Sequence, residues 1–421
     1  MDSNLFIDQA KQCALKLLKP DKKDVEHGLE LHRNSLVVES FGFGPQGYWA
    51  MDAEKMLAAI HSGASGVELK DLSEDIIMTG YVNDAVRLQE FKVMWEASGV
   101  TCIFRNAGEE SQSPTCLIKR LAHYVYVTDR LKDFLPKALN PSDIILAKKE
   151  KRHCLCLACN GVPIVQDWNS VEDELRYISI FFHLGCRMMH LTYNRRNMLG
   201  DGCAETANGG LSDFGRTVIA EMNRVGIIVD VAHSGWQTSL EAAQVSRKPI
   251  VASHTTCAAL NRHIRSKPDE VIRAIVKGGG LVGICAIPAF LGGTGDINAM
   301  LDHIDYMAKT FGVDHIAIGT DVCGSLSLSQ SDGGLSKQLE SEYPKGRSRF
   351  ENFWPPNDPL FSPEWQKEEQ LLSLAWVNFP FFTVGLVQRG YSDADIQKIL
   401  GGNMLRVFNS VLPESERKIA N

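Results

Sequence analysis

The feature that most constrains this chain is an alternation. Short apolar, β-branched runs recur along it, bounded by Gly or Pro and separated by amphipathic stretches of helical period. Nine runs fit a strand: residues 35–41, 65–70, 99–104, 154–159, 188–192, 227–232, 250–253, 280–285 and 315–320. The stretches 53–61, 84–97, 170–184, 213–225, 239–246, 269–277 and 298–311 fit helices, and Gly185, Gly226 and Gly312 stand where such helices would end. Strand–helix alternation at this spacing implies parallel βαβ units. The fold class expected is α/β, a (β/α)8 TIM-type barrel. A closed barrel uses eight strands, so one early candidate is surplus.

The 421 residues suffice for one such barrel with insertions. The expected layout is a helical extension over 1–32, a single barrel domain over 33–410 and a tail over 411–421. Within the domain, residues 325–370 are rich in Ser, Gly and Pro and read as a long loop excursion near the barrel mouth. Residues 371–389 and 393–400 read as helices again.

Composition excludes some partners. A net charge of −7 and the lack of a basic tract give nucleic acid no footing. No run of 18 apolar residues occurs, so no membrane span is expected. The first residues lack the basic start and apolar stretch of a signal peptide, and the 11 cysteines fit free thiols in a reducing, cytoplasmic compartment. The CxCxxC run from Cys154 to Cys159 has no second pair and reads as buried thiols rather than a zinc site.

Chemistry enters at the ends of the apolar runs. His233 and His254 each close one, 21 residues apart. In a barrel, those positions lie at the C-terminal rim, where active sites are built. Asp321 follows the last run, and a carboxylate there faces the same rim, although a helix N-cap is the alternative use. Two imidazoles and one carboxylate suit zinc with an open position for water. Such an ion acidifies the water, and a nearby carboxylate can carry its proton to a leaving amine. Arg265 lies in the segment after His254, placed either to clamp a substrate carboxylate or to sit as a solvated charge.

Several motifs in order then resemble the membrane (renal) dipeptidase family of zinc metallopeptidases. They are LGCRMMHLTYN at 184–194, GGLSDFG at 209–215, MNRVGIIVDVAH at 222–233, VASH at 251–254, KPDE at 267–270 and IGTD at 318–321. The run LVQRGYSDADIQKILGGNMLRVF at 386–408 completes the set. The resemblance covers roughly residues 30–410 and is specific after residue 150. It implies a TIM-type barrel, two bridged zinc ions and hydrolysis of dipeptides, with a homodimer as the expected assembly. His233 and His254 would be ligands of the second metal. Asp321 would be a ligand of the first and the proton carrier, and Arg265 would hold the substrate carboxylate.

The chain departs from that pattern at several donors. Phe41 and Phe43 stand where the family has a His-x-Asp pair, Asn160 replaces the bridging glutamate, Tyr193 replaces a substrate-contacting histidine, and Cys323 replaces a second aspartate. Asn160 and Tyr193 remain candidate substrate contacts. The expectation is therefore a dipeptidase-like metallohydrolase using one zinc ion at most. The alternative is an inactive or metal-free barrel that binds a small carboxylate-bearing ligand or runs altered acid–base chemistry.

Overall fold

The computed structural model describes residues 3–47, 49–107, 113–167, 169–325, 333–343 and 353–417. Eight parallel strands form the barrel wall: β1 (Val38–Gly42), β2 (Cys102–Asn106), β3 (Cys154–Cys159), β4 (Cys186–His190), β5 (Ile228–Asp230), β6 (Val251–Cys257), β7 (Leu281–Ile284) and β8 (Ile316–Ile318). They pair in that order, each with the next. Every residue in these strands is buried, because helices cover the outside while side chains fill the inside. The fold is a (β/α)8 barrel.

The surplus candidate was 65–70. It opens a helix, Gly66–Thr79, instead of forming a strand. Ser65 accepts from Glu68 N, and the Glu68 carboxylate accepts from Ser65 N. This reciprocal cap outweighs a short apolar pattern, and Val67 is left two-thirds exposed (66%).

The ring closes above the strands rather than between them. Asp321 N donates to Phe41 O at 3.4 Å, and Phe43 N donates to Val322 O at 3.4 Å. Just beyond, Cys323–Ser325 pairs in parallel with Gly44–Gln46. Glu39 bolts the same seam: its carboxylate accepts from Thr320 N at 3.1 Å, from Thr320 Oγ1 and from Trp376 Nε1 at 2.8 Å. Inside the barrel, a register break in β6 between Ala252 and Thr255 accompanies a Ser253 carbonyl that accepts from Ser40 Oγ at 2.7 Å. Gly283 and Gly319 are needed there, since a Cβ at either would run into that carbonyl.

Of the extension expected over 1–32, the described residues form the helices Ser3–Leu18 and most of Lys22–Asn34, broken at Lys19, which takes a left-handed φ of 49°. Asn378 Nδ2 donates to Ala10 O, and Gln388 Nε2 donates to Leu18 O, so these helices dock on the C-terminal segment. The helix expected over 371–389 is in two pieces, Glu368–Ser373 and Phe379–Gln388. Pro380 opens the second piece because it cannot sit inside a continuous helix. The 325–370 excursion is not all loop. It holds the helix Gly333–Glu342 and single turns at Pro359–Phe361 and Pro363–Trp365, while 326–332 and 344–352 lie outside the described residues. In the tail, Leu412 is buried, Glu414–Glu416 forms a turn, and 418–421 lie outside the described residues. Among the described residues, no single helix is long and apolar enough to cross a membrane.

Candidate functional site

The strand ends deliver the expected residues to one mouth. A cavity of about 430 Å³ opens there, lined by Phe43, Asn160, Tyr193, His233 and Asp321 among others. His254 lies just behind His233, with the two Nε2 atoms 2.9 Å apart. Asp321 Oδ2 is 3.9 Å from His254 Nε2. Asp321 sits three residues beyond β8, and a φ of 59° turns it back over the mouth. Asp is among the few residues that tolerate this conformation, which often marks a functional site.

Each imidazole is held from behind. Asn194 Oδ1 accepts from His233 Nδ1 at 2.7 Å, which makes Nε2 the lone-pair nitrogen. Asn194 also has a left-handed φ, 57°, and follows Tyr193, whose ring lies 4.3 Å from that of His233. Ser253 Oγ meets His254 Nδ1 at 2.7 Å. Such partners fix ring orientation and tautomer in metal sites.

Arg265 is fully buried and does not line the cavity. Its Nη1 donates to Ala232 O, and its Nη2 donates to His254 O at 3.1 Å and lies 3.3 Å from His233 Nε2. Lys267, also fully buried, donates to Ser234 O at 2.6 Å, and burial lowers its pKa to about 7. Burial, reinforced by Arg265, holds both His233 and His254 far below the usual imidazole range. They are neutral, the form that binds metal. Asp321 keeps 19% of its side-chain exposure toward the cavity, and desolvation there raises its pKa to about 6, against the pull of Arg265.

The opposite arc of the mouth is apolar. Phe41 is fully buried and stacks on His254, with centroids 4.0 Å apart and planes 14° apart. Phe43 lies 6.1 Å from Phe41, with the Arg105 guanidinium 5.6 Å over its ring. Asn160 follows β3 directly, and its Oδ1 is buried without a hydrogen-bond partner. Neither ring carries a metal donor, and a neutral amide is a weak bridge between two dications. Two bridged ions do not fit this mouth, whereas one ion on the histidine arc does.

Two residues of that arc carried no role in the sequence analysis. His190 ends β4, and Asp230 ends β5. His190 Nε2 lies 2.8 Å from Asp230 Oδ2, and the His190 ring is 5.3 Å from both His233 and His254. Donor atoms of His190, Asp230 and His254 all lie within 4.8 Å of one another. On its own, burial would raise Asp230, but His190 and hydrogen bonds from Ser253 N and Ala232 N bring it below the ordinary aspartate value. The signal in the sequence was a histidine inside one apolar run and an acid inside the next.

The model of the membrane dipeptidase family, peptidase family M19, matches residues 100–337. The chain belongs to that family. Among curated relatives it is 26% identical over 286 residues to dipeptidase verJ of Clonostachys rogersoniana, covering 67% of this chain and 62% of that one. It is 27% identical over 258 residues to dipeptidase tcpJ of Claviceps purpurea, covering 60% and 51%. The aligned part is thus less than two thirds of either relative's length. Among solved structures, an amidohydrolase from Pseudomonas aeruginosa matches with a TM-score of 0.64 and 25% identity, over 91% of this chain and 98% of that one. The probable dipeptidase PvdM from the same organism also reaches 0.64, at 20% identity over 93% and 99%, and bears on the fold alone.

Proposed function

We propose that this family member is a dipeptidase-like metallohydrolase that cleaves a dipeptide or a related small amide with one zinc ion at most. One observation carries the reading: neutral His233 and His254 meet at the floor of an open cavity, with the Asp321 carboxylate 3.9 Å from His254. Two imidazoles and a carboxylate are a sufficient donor set for zinc. When bound, such an ion polarises an amide carbonyl and acidifies water. Asp321 accepts the proton of the attacking water and returns it to the leaving amine. Tyr193 and Asn160 line the cavity where a small substrate would rest. Arg265 holds His233 and the His254 carbonyl in place from behind. The buried thiols of β3 suit a reducing, cytoplasmic setting.

A second reading has its own support. Arg265 Nη2 faces the free nitrogen of His233 at 3.3 Å, and the Phe41 ring lies on His254. Both crowd the imidazoles and favour the metal-free alternative, a barrel that binds a small ligand or runs altered acid–base chemistry. Elemental analysis and a dipeptide panel run on one purified sample separate the two. The hydrolase reading expects zinc and turnover, both lost in His254→Ala. Turnover that survives in zinc-free protein would overturn the metal mechanism, and a sample with neither zinc nor turnover would favour the binder.

A further inference from the structure

The hydrolase reading leaves His190 and Asp230 without work, yet together they hold three buried polar atoms without an aligned partner. Both are buried, at 1% and 0% exposure. His190 Nδ1, His190 Nε2 and Asp230 Oδ2 all lack an aligned hydrogen-bond partner, although Nε2 and Oδ2 are only 2.8 Å apart. Leaving one buried polar atom unpaired costs about 1–3 kcal/mol, so three together call for an explanation. A plain imidazole–carboxylate hydrogen bond would satisfy two of them and still strand Nδ1. A third centre that both side chains face accounts for the misaligned close approach.

We propose that His190, Asp230 and His254 together bind a single transition-metal ion. The three offer two nitrogens and one carboxylate oxygen within 4.8 Å of one another, a spacing that suits zinc with bonds of about 2.0–2.2 Å. Charge favours this place over the free nitrogen of His233. That nitrogen already faces the Arg265 guanidinium at 3.3 Å, and a dication bound there would press against a fixed cation. Asp230 has no lysine or arginine ion-pair partner among the described residues; the group that faces its Oδ2 is His190, at 2.8 Å. Its Oδ1 is held by Ala232 N at 2.9 Å and Ser253 N at 3.1 Å, which aims Oδ2 at His190. Three protein donors leave a fourth position. His233 lines the cavity, while His190 and His254 do not. Asp321 is then free of the metal and acts only as the proton carrier.

The inference rests on the reading that His254 holds an ion, but it names different companions, and the test uses that difference. Full-length protein is stripped with chelator, reloaded with Zn²⁺ or Co²⁺, and its metal content and affinity are measured. Wild type should hold one ion per chain. His190→Gln and Asp230→Asn should each weaken binding by more than about 100-fold, beyond the 10–100-fold typical of an outer-shell change. Asp321→Asn should bind as wild type does. Retention in the first two variants with loss in Asp321→Asn overturns the inference and leaves the hydrolase reading standing. An ion lost as expected from a wild type that hydrolyses nothing supports the inference and removes the hydrolase. No ion in wild type removes both. Should the buried variants misfold by circular dichroism, an anomalous difference map of Zn²⁺-soaked wild-type crystals decides instead. A peak bonded to His190 and Asp230 supports the assignment, and one bonded to Asp321 overturns it.

Discussion

The two arcs of the barrel mouth are built by the same backbone and hold opposite chemistry. On β4 to β6, His190, Asp230, His233 and His254 crowd within hydrogen-bond or ring-contact distance of one another. On β1 to β3, the corresponding positions carry Phe41, Phe43 and Asn160. The rings fill volume that ions and their carboxylates would otherwise need, and Phe41 packs directly on His254. Stacking and burial hold His254 from that side.

The comparison can be broken by restoring donors. The triple variant Phe41→His, Phe43→Asp, Asn160→Glu should raise metal content from one ion per chain to two, read by elemental analysis. A count that stays at one would mean that the apolar arc differs from a metal site by more than its side chains. Deleting the ring alone probes its packing role. Phe41→Ala empties a fully buried position and should cost about 3–5 kcal/mol in denaturant unfolding. A loss below about 1 kcal/mol would show that the stack on His254 carries no stability.

The arcs also differ in the sign of their pH response. Below the apolar arc, burial pushes Glu39 from 4.5 to about 7, against hydrogen bonds from Thr320 and Trp376. An acid with a raised folded pKa stabilises fully below its unfolded value, and the contribution is lost as pH rises through the folded value. Glu39 should thus withdraw up to about 3 kcal/mol between pH 4.5 and about 7. Glu39→Gln should flatten that window in urea midpoints, and an unchanged slope would clear Glu39. On the other arc, the depressed histidines act oppositely: their contribution is present above pH 6.5 and fades as pH falls.

The smallest expected effect belongs to Arg265. Its guanidinium touches His233 and two carbonyls but not the cavity. Arg265→Ala should therefore lower kcat, by roughly the 1.5–3 kcal/mol of a charge-assisted hydrogen bond, and leave KM nearly unchanged. A raised KM with kcat preserved would return the guanidinium to the substrate.

Much of this was legible in the chain. Strand–helix alternation gave the barrel because period-2 and period-3.6 patterns are local. The run at 65–70 is helical because a capping box, an equally local signal, outweighs its short apolar pattern. His233, His254 and Asp321 could be placed at one rim because each terminates a strand-like run. His190 lies inside the run 188–192 rather than at its end, so its position along the chain does not single it out. Asp230 reads as a lone acid in an apolar strand until β4 is set beside it.

The sequence by itself determined the barrel and the family, since those depend on residue type and order along the chain. Only the tertiary structure decided who faces whom: Arg265 turned inward behind His233, Phe41 laid on His254, and Asp230 brought within 2.8 Å of His190. The physical reason is that coordination, stacking and desolvation act over a few ångströms between strands, and the spacing of residues along one strand does not specify the distance across to the next.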